Sequence, residues 1–148
     1  MKERFVVIDL ETTGHSPENG DKIIQIGAVV ISDGEIAETM STLVNPNVPI
    51  PPFIQKLTHI SNEMVKDAPE FREVVPELLK LLENSCFVAH NVSFDFSFLQ
   101  HELQQLGYKK LTMPKIDTVE LARIMLPTLE SYKLTQMADY LEISHDRP

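Results

Sequence analysis

Residues 4–14 read RFVVIDLETTG, an apolar and largely β-branched run that ends in acidic residues and a flexible turn. Such a run is typical of a central strand covered on both faces, so we predict a buried strand over residues 4–10. Side chains two residues apart in a strand point to the same face, roughly 6 to 7 Å apart along the chain. Asp9 and Glu11 should therefore converge on the face that also carries Phe5 and Val7.

Two carboxylates that extend an apolar face would repel each other unless they are protonated, paired with cations or bound to metal. Hard oxygen ligands without a neighbouring histidine or thiolate favour Mg²⁺ or Mn²⁺ over zinc. A lone Asp-x-Glu more often marks the exposed end of a strand. The interpretation as a metal site therefore needs support from elsewhere in the chain.

The remaining pattern predicts strands first and then alternating strands and helices. Four prolines in residues 45–52 predict an extended surface loop between the two halves. The other predicted strands cover residues 23–31, 36–44 and 86–89, with a turn at Asp33-Gly34 between the first two. The predicted helices cover residues 62–66 after Ser61, Pro69 to Leu82 with a kink or restart at Pro76, and 94 to Gly107. Two more are predicted from Asp117, with Glu120, to near Pro127 and over residues 134–141. We therefore expect one α/β domain over residues 1–148, with a mixed sheet flanked by helices.

Composition limits the function. The net charge of -9, from 13 basic and 22 acidic residues, disfavours a tight freestanding nucleic-acid binder. An acidic nuclease is compatible with this charge if divalent ions neutralise carboxylates and phosphate and a partner domain supplies affinity. Cys86 is the only cysteine and has apolar neighbours, so we expect a buried thiol and no disulfide. Without an apolar stretch of about 20 residues or a signal peptide, we expect a cytoplasmic protein and no membrane partner.

A second group of polar residues follows the strand at 86–89, where residues 90–95 read HNVSFD. This places Asp95 in the first turn of a helix, whose positive end should help keep the carboxylate ionised for metal binding. An ordinary helix-start charge would look the same. His90 is more often a structural hydrogen-bonding group than a metal ligand.

These residues resemble motifs of the DnaQ-like superfamily of DEDD-type 3′-5′ exonucleases, in the histidine-type branch. VIDLETTG at 7–14 is similar to the first motif, and HNVSFDFSFL at 90–99 is similar to the second. LTHI at 57–60 resembles the loop that packs on the terminal nucleotide. Within the superfamily the chain is most similar to proofreading-type domains, including those of DNA polymerase III, and to exonuclease domains of DinG-type bacterial proteins.

The resemblance implies a ribonuclease H-like fold with a five-stranded mixed sheet, and a two-metal hydrolysis at a 3′ end of single-stranded DNA or RNA, with DNA favoured. Asp9, Glu11 and Asp95 would hold two Mg²⁺ or Mn²⁺ ions. The implied substrate contacts are Leu10, Thr12, Thr13, Thr58, His59, Asn91 and Phe94. A helicase-like region or a polymerase would accompany the domain in its parent protein, with roles in DNA replication or repair.

The chain departs from the family pattern at its end. The third motif, His-x-Ala-x-x-Asp, would supply the general base and the fourth carboxylate, and residues 1–148 do not contain it. His145 stands too near Pro148, and Tyr132 and Tyr140 do not match the tyrosine-type alternative. Asp117 and Asp139 are weak substitutes, since Asp117 is typical of a helix cap and Asp139 of a solvated helix surface. We therefore expect a domain cut upstream of its third motif and weak activity from residues 1–148 alone.

An alternative function is a non-catalytic module that binds nucleic-acid ends or a replication partner and keeps vestigial carboxylates. The motifs bind phosphate and metal, so they do not distinguish DNA from RNA, or proofreading from repair or RNA trimming.

Overall fold

A computed structural model describes residues 4–119 of the chain. The strands are β1 Arg4–Thr12, β2 Ile23–Ser32, β3 Glu35–Leu43, β4 Cys86–Ala89 and β5 Lys115–Asp117, and the helices are α1 Pro52–Thr58, α2 Asn62–Lys66, α3 Phe71–Leu82 and α4 Val92–Gln105. A short 3₁₀ turn covers Pro17–Asn19. The predicted helices at 117–127 and 134–141 and the roles considered for Glu120, Tyr132, Asp139, Tyr140 and His145 lie outside the described residues.

The five strands form one mixed sheet in the order β3-β2-β1-β4-β5. β1 pairs antiparallel with β2 and parallel with β4, while β3 and β5 are the edge strands. This arrangement confirms the predicted meander and places β1 at the centre. β1 also continues two residues beyond the predicted end, to Thr12, with a register irregularity between Glu11 and Thr12.

The main core lies on one face of the sheet. Alternate residues of β1 point into it, and α3 and α4 cover it with their apolar sides. Its fully buried side chains include Val6, Ile8, Val30, Val75, Leu78, Phe87, Phe98, Leu99 and Leu103. Because α3 and β4 lead directly into α4, this packing fixes where the first turn of α4 lies relative to β1.

Three local expectations need correction. The loop predicted over residues 45–52 ends one residue early, because Pro52 begins the helix Pro52–Thr58; Pro52 stands in the first turn, where a missing amide donor costs little. Helix α3 begins at Phe71 rather than at Pro69, because the Glu73 carboxylate accepts a hydrogen bond from the Glu70 amide at 2.7 Å. Cys86 is half-buried rather than fully buried, and burial raises the pKa of its thiol. The Ser61 cap of α2 is confirmed.

Within residues 4–119, no helix has the length and apolar character that crossing a bilayer requires.

Glu102 joins α4 to the start of β2 from inside the protein. Its side chain is only 8% exposed, and its carboxylate accepts the Ile23 amide at 2.8 Å. Burial raises the pKa of Glu102, although the Ile23 hydrogen bond and the nearby charge of Lys22 act in the opposite direction. The carboxylate therefore satisfies a buried amide at a cost in desolvation.

We predict that Glu102→Ala lowers the free energy of unfolding by about 1 to 3 kcal/mol, because the buried Ile23 amide loses its acceptor. Glu102→Gln keeps an oxygen for that amide and should lose less than half as much. Urea unfolding of both variants at neutral pH measures the difference. Equal losses for the two substitutions would show that the Ile23 hydrogen bond contributes little.

Candidate active site

The first motif lies at the end of the central strand, as its sequence predicted. Alternate residues Val6, Ile8 and Leu10 are buried in the main core. Asp9 is exposed and Glu11 is half-buried on the opposite face. The two carboxylates therefore share one face of β1.

The second motif meets the first at a place where β1 extends beyond its neighbour. β4 pairs with β1 only from Phe5 to Val7, so the amide of Leu10 lies past the end of β4. The Asp95 carboxylate accepts that amide at 3.3 Å. Asp95 stands in the first turn of α4 and is 5% exposed. It thus contacts β1 at the residue between Asp9 and Glu11.

The electrostatics of Asp95 differ from the expectation that the helix start keeps it ionised. Its pKa is raised from 3.8 to about 8, first by burial and then by the negative charge of Asp9. Glu11 and Asp117 raise the pKa further, and the Leu10 hydrogen bond only partly opposes them. In the metal-free chain, desolvation and three nearby carboxylates outweigh the helix end. The same result shows that Asp9, Glu11 and Asp95 lie close enough to interact.

Asp117, the last residue of β5, accepts backbone amides at the start of α4 and from the segment that follows it, while its predicted capping box with Glu120 lies outside the described residues. Its carboxylate accepts the amide of Val119 at 2.9 Å and those of Asn91 and Val92 at 3.2 and 3.3 Å. Although Asp117 is near enough to affect the pKa of Asp95, its oxygens face these amides. The sequence did not predict that it also anchors the start of α4.

The threonines after Glu11 are buried and bonded within their own turn. The Thr12 hydroxyl donates to the Gly14 carbonyl at 2.7 Å. The Thr13 amide donates to the Lys22 carbonyl at 2.8 Å, and the Thr13 hydroxyl accepts the Lys22 amide at 2.9 Å. These bonds shape the turn beside the carboxylates.

Phe94 lies one residue before Asp95 and forms part of an aromatic row. Its ring is 5.0 Å from that of Phe98 and 6.0 Å from that of His15, in an edge arrangement with the latter. His15 is exposed and was not singled out from the sequence. Its position directly after Thr-Thr-Gly could have indicated that His15 lies near the site, but a lone histidine in a turn is weak evidence by itself.

The remaining predicted substrate residues lie in different surroundings. Asn91 is exposed and has a left-handed backbone, with φ of 63°, at the start of α4. Thr58 donates to the Ile54 carbonyl at 2.8 Å, and exposed His59 ends α1 with φ of 61°. His90 has the expected structural role, since its Nδ1 lies 2.9 Å from the Thr118 hydroxyl.

The donor set suits a hard divalent cation, as the family resemblance implies. Asp9, Glu11 and Asp95 offer only oxygens, and a bound cation would offset the repulsion that raises the pKa of Asp95. Within residues 4–119, no three His, Cys, Asp or Glu side chains are already arranged to hold a metal ion. The chemistry of the donors therefore fits the ion, and binding would require the side chains to adjust.

Comparison with known proteins identifies the family. A family model described as "Exonuclease" matches residues 6–148. The chain is 51% identical to the 3′-5′ exonuclease DinG of Bacillus subtilis (strain 168) over 147 residues, which are 99% of the chain and 16% of that protein. It is 46% identical over 142 residues to the PolC-type DNA polymerase III of Clostridium perfringens (strain 13 / Type A), covering 96% of the chain and 10% of the polymerase.

The fold of the chain is also similar to that of solved exonuclease structures. A solved structure of exonuclease X in complex with 5′ overhanging duplex DNA matches with a TM-score of 0.75 and 28% identity, over 97% of this chain and 76% of that one. The sheet order and flanking helices confirm the predicted ribonuclease H-like fold. The chain spans a small part of the length of its DinG and PolC relatives. It belongs to the exonuclease family whose model matches residues 6–148.

Proposed function

We propose that residues 1–148 contain most of a metal-dependent 3′-5′ exonuclease domain that releases mononucleotides from DNA ends. The observation that carries the proposal is the hydrogen bond from the Leu10 amide to the Asp95 carboxylate. It joins the two motifs and brings a buried carboxylate to the strand segment that carries Asp9 and Glu11. Burial together with like charge at one point is typical of a site that gains a cation in function.

Asp9, Glu11 and Asp95 would hold Mg²⁺ or Mn²⁺. When bound, these ions would neutralise the phosphate, activate water and stabilise the leaving oxygen. The chain itself would position the carboxylate of Asp95. The Leu10 amide orients this carboxylate, and Asp117 accepts amides from the first residues of α4, the helix that carries Asp95. Neither role requires the carboxylates to contact the phosphate.

Substrate contacts would surround this group. Phe94 and His15 offer ring surface next to Asp95, and the turn of Thr12 and Thr13 borders the same carboxylates. Leu10 would contribute through its backbone. Thr58, His59 and Asn91 complete the set implied by the family, and Asn91 stands at the start of the same helix as Asp95.

DNA is the favoured substrate. One relative is a DNA polymerase, and the matched exonuclease X structure contains duplex DNA with a 5′ overhang. With a net charge of -9, this chain has no overall attraction for phosphates. Other parts of a parent protein, such as a helicase-like region or a polymerase, would then supply affinity for the strand. The missing general base and fourth carboxylate would follow Pro148.

We predict that a protein in which residues 1–148 are followed by their natural continuation releases mononucleotides from the 3′ end of a labelled single strand with Mg²⁺ or Mn²⁺. Asp9→Ala should lower the rate by a factor of about 10³ or more, because one ligand of the reacting centre is lost. Residues 1–148 alone should show little turnover. Gel analysis of a 5′-labelled oligonucleotide measures all three.

Asp67→Ala is the matched control, since Asp67 is an exposed aspartate at the end of α2. It should retain the activity. Turnover that survives Asp9→Ala would rule out the proposed site. Absence of Mn²⁺ binding by calorimetry in the active-length protein would instead favour the non-catalytic module.

We also predict that the metal-free chain loses stability as the pH rises from about 4 to about 8. Because the pKa of Asp95 is raised to about 8, the folded state holds more protons than the unfolded state in this interval. Asp95→Asn keeps an acceptor for Leu10 and removes the charge. It should raise the free energy of unfolding at pH 8 by about 1 to 3 kcal/mol.

Added Mn²⁺ should raise the Tm of the wild type and have a smaller effect on Asp95→Asn. Thermal unfolding at pH 5 and pH 8, with and without Mn²⁺, measures both effects. Asp33→Asn, in the exposed turn between β2 and β3, controls for loss of one charge. Equal Mn²⁺ responses in wild type and Asp95→Asn would contradict the assignment of Asp95 as a ligand.

A further inference from the structure

We propose that Asp21 is a positioning residue that holds the turn of residues 13–16 in place beside the carboxylate site. The inference rests on the proposed function, because this turn borders Asp9, Glu11 and Asp95. Asp21 itself is not among the groups whose charge raises the pKa of Asp95. Its contribution would come through the turn and not through the metal ions.

The Asp21 carboxylate accepts hydrogen bonds from two points of the turn. One oxygen accepts the Ser16 amide at 3.0 Å, and the other lies 3.4 Å from the Thr13 hydroxyl. The Asp21 amide in turn donates to the Ser16 carbonyl at 3.2 Å. These contacts close the chain between the end of β1 and the start of β2.

Gly14 makes this closure sensitive to size. A Cβ on Gly14 would lie less than 3.0 Å from three atoms of the Asp21 carboxylate group. Because that group is held by Ser16 and Thr13, it cannot move aside without losing hydrogen bonds. The carboxylate thus occupies the space that a side chain on Gly14 would need.

The turn of residues 13–16 also contacts the start of α4, through His15. Pro17 follows the turn and is buried, and the His15 ring contacts Phe94 edge-on at 6.0 Å. Phe94 precedes Asp95 in the first turn of α4. Asp21 therefore sets the position of His15 and of the backbone at Gly14 relative to the site where the terminal nucleotide would lie.

The test is a double-mutant cycle between Gly14 and Asp21 in the protein that includes the natural continuation after Pro148. Steady-state cleavage of a single-stranded DNA oligonucleotide gives kcat and KM, and calorimetry gives Mn²⁺ affinity. We expect Asp21→Ala to raise KM about tenfold and to change kcat and Mn²⁺ affinity less than about threefold, because the turn shifts and the carboxylates stay.

Gly14→Ala should raise KM at least about tenfold in the wild type and less than about threefold in Asp21→Ala, since the overlap is then removed. Asp21→Asn should stay within about twofold of wild type, because its amide group can still pair with Ser16 and Thr13. Asp67→Ala again controls for loss of an aspartate. The conservative variant distinguishes hydrogen bonding from charge.

Additive effects of the two alanine substitutions would overturn the inference. So would a loss in Asp21→Ala that appears only in kcat and follows the folded fraction measured by circular dichroism, since that result indicates general destabilisation. If the wild-type protein itself shows no cleavage, the proposed function fails. If it cleaves and Asp21→Ala has an unchanged KM, only the role of Asp21 fails.

Discussion

The hydrogen bond between the Leu10 amide and the Asp95 carboxylate is the contact on which the site depends. β4 ends before it reaches Leu10, so a central strand of the sheet would otherwise leave this amide without a sheet partner on that side. The first turn of α4 supplies the acceptor. Because the acceptor is a carboxylate, the contact that completes the sheet also brings negative charge next to Asp9 and Glu11. One interaction thus serves packing and places the reactive group.

This arrangement carries an energetic conflict. Burial and the charge of Asp9 make ionised Asp95 unfavourable, as its raised pKa indicates. A proton or a cation relieves the conflict, and only a cation does so while leaving the carboxylates negative for phosphate chemistry. The rest of the sheet and its two covering helices stabilise the fold in spite of this local cost.

Sequence patterns predicted the features that depend on local periodicity. The alternation in residues 4–12 placed Asp9 and Glu11 on one face, and the apolar spacing in α4 placed Asp95 in a first helical turn. The meeting of the two motifs followed from the family resemblance. The raised pKa of Asp95 in the metal-free chain was not predicted, because desolvation and the charges of three residues on two other strands decide it. His15 and Asp21 were missed for the same reason, since their contacts to Phe94 and Ser16 appear only when the turn is folded.

Part of the acidity of the chain is concentrated at the candidate site. Four acidic side chains, those of Asp9, Glu11, Asp95 and Asp117, lie around the end of β1, so the surface that would receive a phosphate under the proposed function carries negative charge. Bound cations would offset this negative potential only locally, within about 10 Å, the screening length at ordinary salt concentrations. The part of a nucleic-acid strand that lies beyond that distance would gain no affinity from the cations. Under the proposed function, a small catalytic domain of this kind would depend on neighbouring parts of a larger protein to hold the substrate, and in two relatives the matched region is 16% and 10% of the whole.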